Sequence, residues 1–207
     1  MVLLRHQLRL SLRLTRRSLT SAQQQAAAHG LAQQLSKLPK LSSWRHVGLY
    51  WPADGEIDPS VFARLLYKRG VTLYLPVIAP RKRDHRLRFL AAPAMAYASK
   101  HRRQLRLQPW PAKRNRFGLR EPLGRQAIRP EQLDALLMPL VGFDASGQRL
   151  GMGGGFYDRL LARLQRGVKR PQLIGLAHHS QQVLALPTEQ WDEPVDIVVT
   201  DAGHLHR

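Results

Sequence analysis

Two apolar runs with an amphipathic stretch between them constrain this chain more than any other feature. Residues 46–51 (His-Val-Gly-Leu-Tyr-Trp) read as a strand, which Pro52 and the Asp54-Gly55 pair bring to a close. Asp58 followed by Pro59 is a helix-start signature, with the carboxylate as N-cap and the proline at the first helical position. Val61, Phe62, Leu65 and Leu66 share one face of that helix, and Lys68-Arg69-Gly70 ends it. Residues 71–78 are a second apolar strand. Strand, helix, strand at this spacing is a βαβ unit, which implies a right-handed crossover and a parallel sheet. Such sheets bind ligands beyond the carboxyl ends of their strands. Trp51 and Glu56, in the loop leaving the first strand, therefore fall at a ligand face. There a carboxylate can accept from an N–H-rich heterocycle and an indole can stack on it. The plainer alternative is a solvated loop glutamate beside a half-buried tryptophan.

A second strand–loop–helix unit lies further along. Residues 135–142 form an apolar run, and Tyr157, Leu160, Leu161 and Leu164 recur at i, i+3, i+4 and i+7. Between them stand four glycines in five positions, Gly151, Gly153, Gly154 and Gly155. Strand, glycine loop and helix is the arrangement in which backbone N–H groups and a helix N-terminus surround a phosphate. No standard phosphate motif matches. A P-loop ends in Gly-Lys-Ser/Thr, where this chain has Phe156-Tyr157, and the third glycine of G-x-G-x-x-G would fall on Phe156. A flexible surface loop is the competing interpretation. Against it stand Arg149, a fixed cation beside the glycines, and Asp158, a carboxylate on the first helical turn.

Charge narrows the partners. Thirty-three basic and fourteen acidic residues leave a net charge of +19 over 207 residues. Such a field attracts polyanions, whether nucleic acid, nucleoside triphosphates or polyglutamates. The chain has no cysteine, which removes disulfides and thiolate metal sites and permits a reducing cytoplasm. No apolar run approaches the roughly 18 residues of a membrane span.

The first acidic residue is Asp54, so the opening of the chain is purely cationic. Arg5, Arg9, Arg13, Arg16 and Arg17 alternate with Leu8, Leu12 and Leu19 at helical spacing. A transit-type peptide has this look; so does a folded helix whose cationic face meets a phosphate-bearing ligand. Thr20 and Gln23 then stand in capping-box spacing before a second helix that runs toward Pro39. Residues 86–90 read as a short strand, and residues 91–129 show little pattern. An RNA-binding interpretation of that segment would use Trp110 and Phe117 as stacking aromatics, without any recognised nucleic-acid signature to accompany them. Residues 173–177 and 195–200 read as two more buried strands. His178 and His179, adjacent in an extended segment, would point to opposite faces, so at most one could bind a metal.

Three separated stretches stand out together: Leu49-Tyr-Trp-Pro-Ala-Asp-Gly-Glu-Ile-Asp58, Gly147-Gln-Arg-Leu-Gly-Met-Gly-Gly-Gly-Phe-Tyr-Asp-Arg159 and Leu186-Pro-Thr-Glu-Gln-Trp-Asp-Glu-Pro-Val-Asp196. They resemble the signatures of the 5-formyltetrahydrofolate cyclo-ligase (5,10-methenyltetrahydrofolate synthetase) family. Asn115-x-Phe-Gly-x-x-Glu-Pro122 is similar to a looser fourth element. The resemblance implies a single domain over residues 1–207. Its fold would be a three-layer α/β sandwich with a mostly parallel central sheet, and residues 1–38 would be basic helices packed on it. It also implies a cytoplasmic enzyme of one-carbon metabolism that uses ATP and Mg²⁺ and acts as a monomer, with no membrane or specific nucleic-acid partner. In the family's reaction the formyl oxygen of 5-formyltetrahydrofolate takes the γ-phosphoryl group of ATP, N10 closes on the activated carbon, and phosphate leaves. The alternative is a basic nucleic-acid-binding protein on an α/β scaffold.

Carried onto this chain, the resemblance assigns ATP contacts to Arg5, Arg9, Arg149, Leu150, Gly151, Met152, Gly153, Gly154, Gly155, Phe156 and Tyr157. It assigns folate contacts to Trp51, Glu56 and residues 152–156, metal carboxylates to Asp158 and Asp192, and catalytic roles to Arg149, Tyr157 and Glu56. Some family members carry Arg and Lys where this chain has Met152 and Gly154, so its triphosphate would rely on Arg149, the opening arginines and backbone N–H groups.

Overall fold

The computed structural model describes residues 2–78, 86–92, 112–165 and 169–206. In chain order these form α1 (Val2–Arg17), α2 (Ser21–Leu35), β1 (His46–Gly48), α3 (Ser60–Lys68), β2 (Thr72–Ile78) and β3 (Leu87–Ala91). There follow β4 (Ala112–Arg114), β5 (Arg120–Pro122), β6 (Ala127–Ile128), β7 (Ala135–Pro139), β8 (Gly142–Phe143) and β9 (Arg149–Leu150). The chain closes with α4 (Phe156–Gln165), β10 (Gln172–Leu176), β11 (Ile197–Val199) and β12 (His204–His206).

The main sheet runs β12-β11-β10-β7-β1-β2-β3-β6. Its five inner strands, β11 to β2, pair in parallel, and β12, β3 and β6 add antiparallel edges. Alternation along the strands sorts the core into two faces. Leu73, Leu75, Ala135 and Leu137 point to one face, where Leu31 and Leu35 of α2 and Phe62 and Leu66 of α3 cover them. Tyr74, Leu136, Met138 and Leu173 point to the other, beneath Leu160, Leu161 and Leu164 of α4. Strands buried on both faces need continuous apolar sequence, which explains why 135–142 carries no polar residue. The result is the three-layer α/β sandwich expected from the sequence.

Most elements begin within a residue or two of where the sequence places them, but β1 ends at Gly48 rather than at residue 51, and β7 at Pro139 rather than at residue 142. The capping box of α2 forms, Gln23 N donating to Thr20 Oγ1 at 3.3 Å and Thr20 N to Gln23 Oε1 at 2.8 Å. Helix α3 starts one residue later than expected. Pro59 takes the N-cap position, and Asp58 instead accepts from Ser60 N at 2.8 Å from just outside the helix. His178 and His179 are not in a strand. His178 precedes a 3-10 turn, is buried, and donates from Nε2 to Gly55 O at 3.2 Å; His179 is exposed. Strand β12 and the β4–β5 hairpin were not legible from pattern, and Trp110 lies outside the described residues.

From β1 the chain turns to β2 on one side; from β7 it turns through α4 to β10 on the other. The crevice between the carboxyl ends of β1 and β7 is thus a topological switch point. Helix α1 lies across this end of the sheet. Leu8 and Leu12 pack with Val141, Leu150 and Leu186, and a Cβ on Gly142 would stand only 2.5 Å from Leu12 Cδ1. The helix is seated directly on bare backbone.

Candidate active site

At the switch point a cavity of about 390 Å³ opens between α1, the glycine loop, α4 and the 186–196 loop. Arg5, Arg9, Arg149, Gly151, Gly153, Gly154, Gly155, Asp158 and Asp192, all singled out in the sequence, line it together. Arg159, Ala162 and Trp191 complete the lining. Four guanidinium groups face two carboxylates, so the cavity carries a positive surplus suited to an anion.

Each cation is held by a specific bond. Arg5 and Arg9 lie one turn apart on α1. Arg5 Nη1 and Nη2 grip Asp192, the second at 3.0 Å, and Arg9 Nε donates to Gly151 O at 2.8 Å. Arg149 is nearly buried and donates to Glu193 O at 2.9 Å and to Asp158 Oδ1 at 2.5 Å. Arg159 Nη2 donates to Gly154 O at 2.6 Å, and its guanidinium lies 5.7 Å from the centre of the Phe156 ring. The bond to Asp192 raises the Arg5 pKa, while burial and then repulsion from Arg5 lower that of Arg9. Burial alone would raise the Asp192 carboxyl, but the bonds from Arg5 and Glu189 N–H carry it below the usual value.

The glycines are needed for the loop's path. Gly153 and Gly155 take φ of 90° and 64°, in the left-handed region where a side chain is strained. A Cβ on Gly155 would also lie 2.7 Å from Arg159 Nη1.

The remaining candidates flank the cavity without lining it. Leu150 is buried with Leu12 and Val141. Phe156 meets Phe117 edge-on at 5.8 Å, and Trp51 packs on the core with the Arg120 guanidinium 5.7 Å from its ring centre. The Asn115 motif has a local cause. Asn115 Oδ1 accepts from Phe117 N and Leu119 N, while Asn115 Nδ2 and Ile78 N both donate to the buried Glu121 Oε1 at 3.0 and 2.8 Å. The hairpin is thereby tied to β2 and aims Phe117 at Phe156. Phe117 thus has a partner within the fold, and the RNA-binding alternative gains no support.

Glu56 is almost enclosed. Oε2 accepts from Ala53 N at 3.0 Å, and Oε1 lies 3.9 Å from Arg16 Nη2. Burial lifts its pKa to about 7, against the downward pull of Arg16 and the Ala53 N–H. Burial, then the nearby Glu56, raises the Tyr157 phenol well above its ordinary value. Three of the five opening arginines do not face the cavity at all. Arg13, Arg16 and Arg17 converge on Asp54, whose own carboxyl they bring down to about 2 against the opposing effect of burial. Sequence reasoning placed Arg16 only within a cationic helix face meant for a phosphate-bearing ligand, and gave no role to Arg159 or Trp191. The first is seven residues from Arg9, two turns along the same face, and the other two stand inside motifs already recognised.

Fold and crevice together define an α/β protein with a cationic, glycine-lined site at the switch point of a parallel sheet. Within that class, the chain belongs to the 5-formyltetrahydrofolate cyclo-ligase family, whose family model matches residues 4–201. It is 39% identical over 198 residues to the 5-formyltetrahydrofolate cyclo-ligase of Haemophilus influenzae, covering 94% of this chain and 97% of that protein. To the Escherichia coli K12 protein of the same name it is 35% identical over 191 residues, 91% of this chain and 96% of the other. The solved structure of Aquifex aeolicus 5,10-methenyltetrahydrofolate synthetase is similar with a TM-score of 0.75 and 27% identity, covering 98% of this chain and 92% of that one. A 5,10-methenyltetrahydrofolate synthetase from Mycoplasma pneumoniae shares the fold, with a TM-score of 0.70 at 23% identity.

Proposed function

We propose that this protein converts 5-formyltetrahydrofolate to 5,10-methenyltetrahydrofolate with consumption of ATP and release of ADP and phosphate. The observation that carries the reading is the switch-point cavity, with its arginines, glycine loop and two carboxylates, in a chain of this family. ATP supplies a phosphoryl group that turns the formyl oxygen into a leaving group for closure by N10. Reactions of this kind depend mostly on positioning and charge stabilisation.

The donor set suits both groups. Arg5, Arg9, Arg149 and Arg159 offer planar guanidinium groups for phosphate oxygens, and the left-handed turns at Gly153 and Gly155 leave room for close backbone approach. Asp158 and Asp192 present hard oxygens at one cavity, the complement with which Mg²⁺ is held beside phosphates. Each carboxylate now neutralises an arginine. A bound polyphosphate would take over those arginines and release the carboxylates toward a cation. On the other side of the glycine loop, Glu56 accepts from the N–H groups of the folate heterocycle, Trp51 stacks on it, and Met152 to Phe156 border it. Tyr157 keeps its proton there and serves as a donor. Action as a monomer in the cytoplasm is part of the same reading; among the described residues no helix is long and apolar enough to cross a membrane.

The test is turnover. Protein, ATP, Mg²⁺ and 5-formyltetrahydrofolate should produce the absorbance of the methenyl product, and omission of any one should abolish it. No product at high protein concentration would reject the assignment.

A further inference from the structure

We infer that Arg16 is a positioning residue for the folate side of the site, clamping the loop that carries Glu56 to the helix that lines the phosphate cavity. The inference rests on the reading of Glu56 as the substrate carboxylate.

Arg16 is fully buried, at 0% exposure. A charge is costly to bury unless its donors are satisfied, and here the partners come from three different segments. Nε donates to Asp54 O at 2.8 Å and Nη2 to Asp54 Oδ2 at 2.8 Å, both in the loop after β1. Nη1 donates to Leu140 O at 3.3 Å, just beyond β7. Nη2 also lies 3.9 Å from Glu56 Oε1 and 3.9 Å from Met152 Sδ in the glycine loop. One guanidinium on α1 therefore touches both strand-end loops of the switch point. Two turns earlier the same helix sends Arg9 into the cavity.

The loop it grips is otherwise costly to hold. Asp54 has φ of 54°, an uncommon conformation for a residue with a side chain, and Gly55 follows at 73°. Arg13 and Arg17 bind the same Asp54 carboxylate from the outer side of α1. They secure the turn, but among the α1 arginines it is Arg16 that also reaches Glu56. The charged and titratable groups facing Glu56 are Arg16 from α1, Asp54 from its own loop, Tyr157 from α4 and Tyr50 from the end of β1. Of these only Arg16 is cationic, so it is the group that favours the ionised carboxylate in an environment that otherwise disfavours it.

The experiment compares kcat/KM against pH for the unaltered protein, Arg16→Gln and Arg16→Lys, varying 5-formyltetrahydrofolate and ATP separately. Loss of the cation in Arg16→Gln should move the acid limb upward by about one pH unit. It should also raise the KM for 5-formyltetrahydrofolate about tenfold, the cost of losing charge-assisted bonds, while the KM for ATP stays within about twofold. Arg16→Lys keeps the charge but not the fork of donors. It should retain the acid limb and still raise the folate KM. Asp54 keeps Arg13 and Arg17 in both variants, and thermal unfolding checks that the fold persists. Should Arg16→Gln not fold, the Lys variant decides, since equal rises in the two KM values would overturn the inference. An unchanged acid limb and folate KM in folded Arg16→Gln would overturn it as well. Absence of turnover in the unaltered protein would instead reject the proposed function, and this inference with it.

Discussion

Arg149 on β9 and Asp158 on the first turn of α4 face each other across the glycine loop at 2.5 Å. The same relation joins Arg5 to Asp192 on the opposite wall. Both carboxylates that could hold a cation are therefore stored as ion pairs with the arginines that could hold a polyanion.

Asp158→Asn should stay folded, because its partner Arg149 keeps the bond to Glu193 O. Turnover should fall by about 100-fold or more, in line with the loss of a metal-site carboxylate, and added Mg²⁺ should restore little of it. A titration of rate against Mg²⁺ checks this; an unaltered Mg²⁺ dependence would remove Asp158 from the metal site.

Replacement of Glu56 by Gln should separate stability from function. Because its folded pKa of about 7 stands above the ordinary value of 4.5, Glu56 costs stability as pH rises from below 4.5 through 7. The cost above pH 7 is roughly 3 kcal/mol at most. Glu56→Gln should therefore melt no lower than the parent at pH 8, while kcat/KM for 5-formyltetrahydrofolate falls about 100-fold for want of an ionised acceptor and ATP binding is retained. Paired melting curves at pH 4 and pH 8 with steady-state kinetics test both halves.

Arg159 reaches the cavity from a largely exposed position on α4. Arg159→Gln should raise the KM for ATP about tenfold, as expected for one charge-assisted phosphate contact, with the folate KM unchanged. Moving both constants together would instead indicate a disturbed Phe156.

The Asp54 cluster predicts acid sensitivity. A carboxylate whose pKa is brought down to about 2 contributes stability that is present above its ordinary value near 3.8 and lost as pH falls through 2. Asp54→Asn should lower the melting temperature by several degrees near neutrality, and the difference from the parent should vanish toward pH 2.

How far could this have been read beforehand? Strand–helix–strand periodicity located β1, α3 and β2, because strands buried on two faces leave an unbroken apolar signature. The glycine loop was legible for a similar local reason, since Gly153 and Gly155 occupy conformations that other residues resist. Arg16 was not. Its importance comes from Leu140, 124 residues away, and from Met152, 136 residues away, and no local pattern records such approaches. Asp58 misled by one residue because a carboxylate can accept from the first helical N–H without being the cap itself. His178 looked like a metal candidate because a buried imidazole bonded to Gly55 O has no sequence mark of its own.

Helix α1 begins at Val2, and Arg5 is already in the cavity wall. At 1.5 Å per residue, anything joined ahead of the helix emerges within about 5 Å, along the axis, of that arginine. A purification handle fused there, particularly an acidic or histidine-rich one, would compete for the guanidinium groups and for added Mg²⁺. Kinetic work is better done with the handle after β12, at the far edge of the sheet.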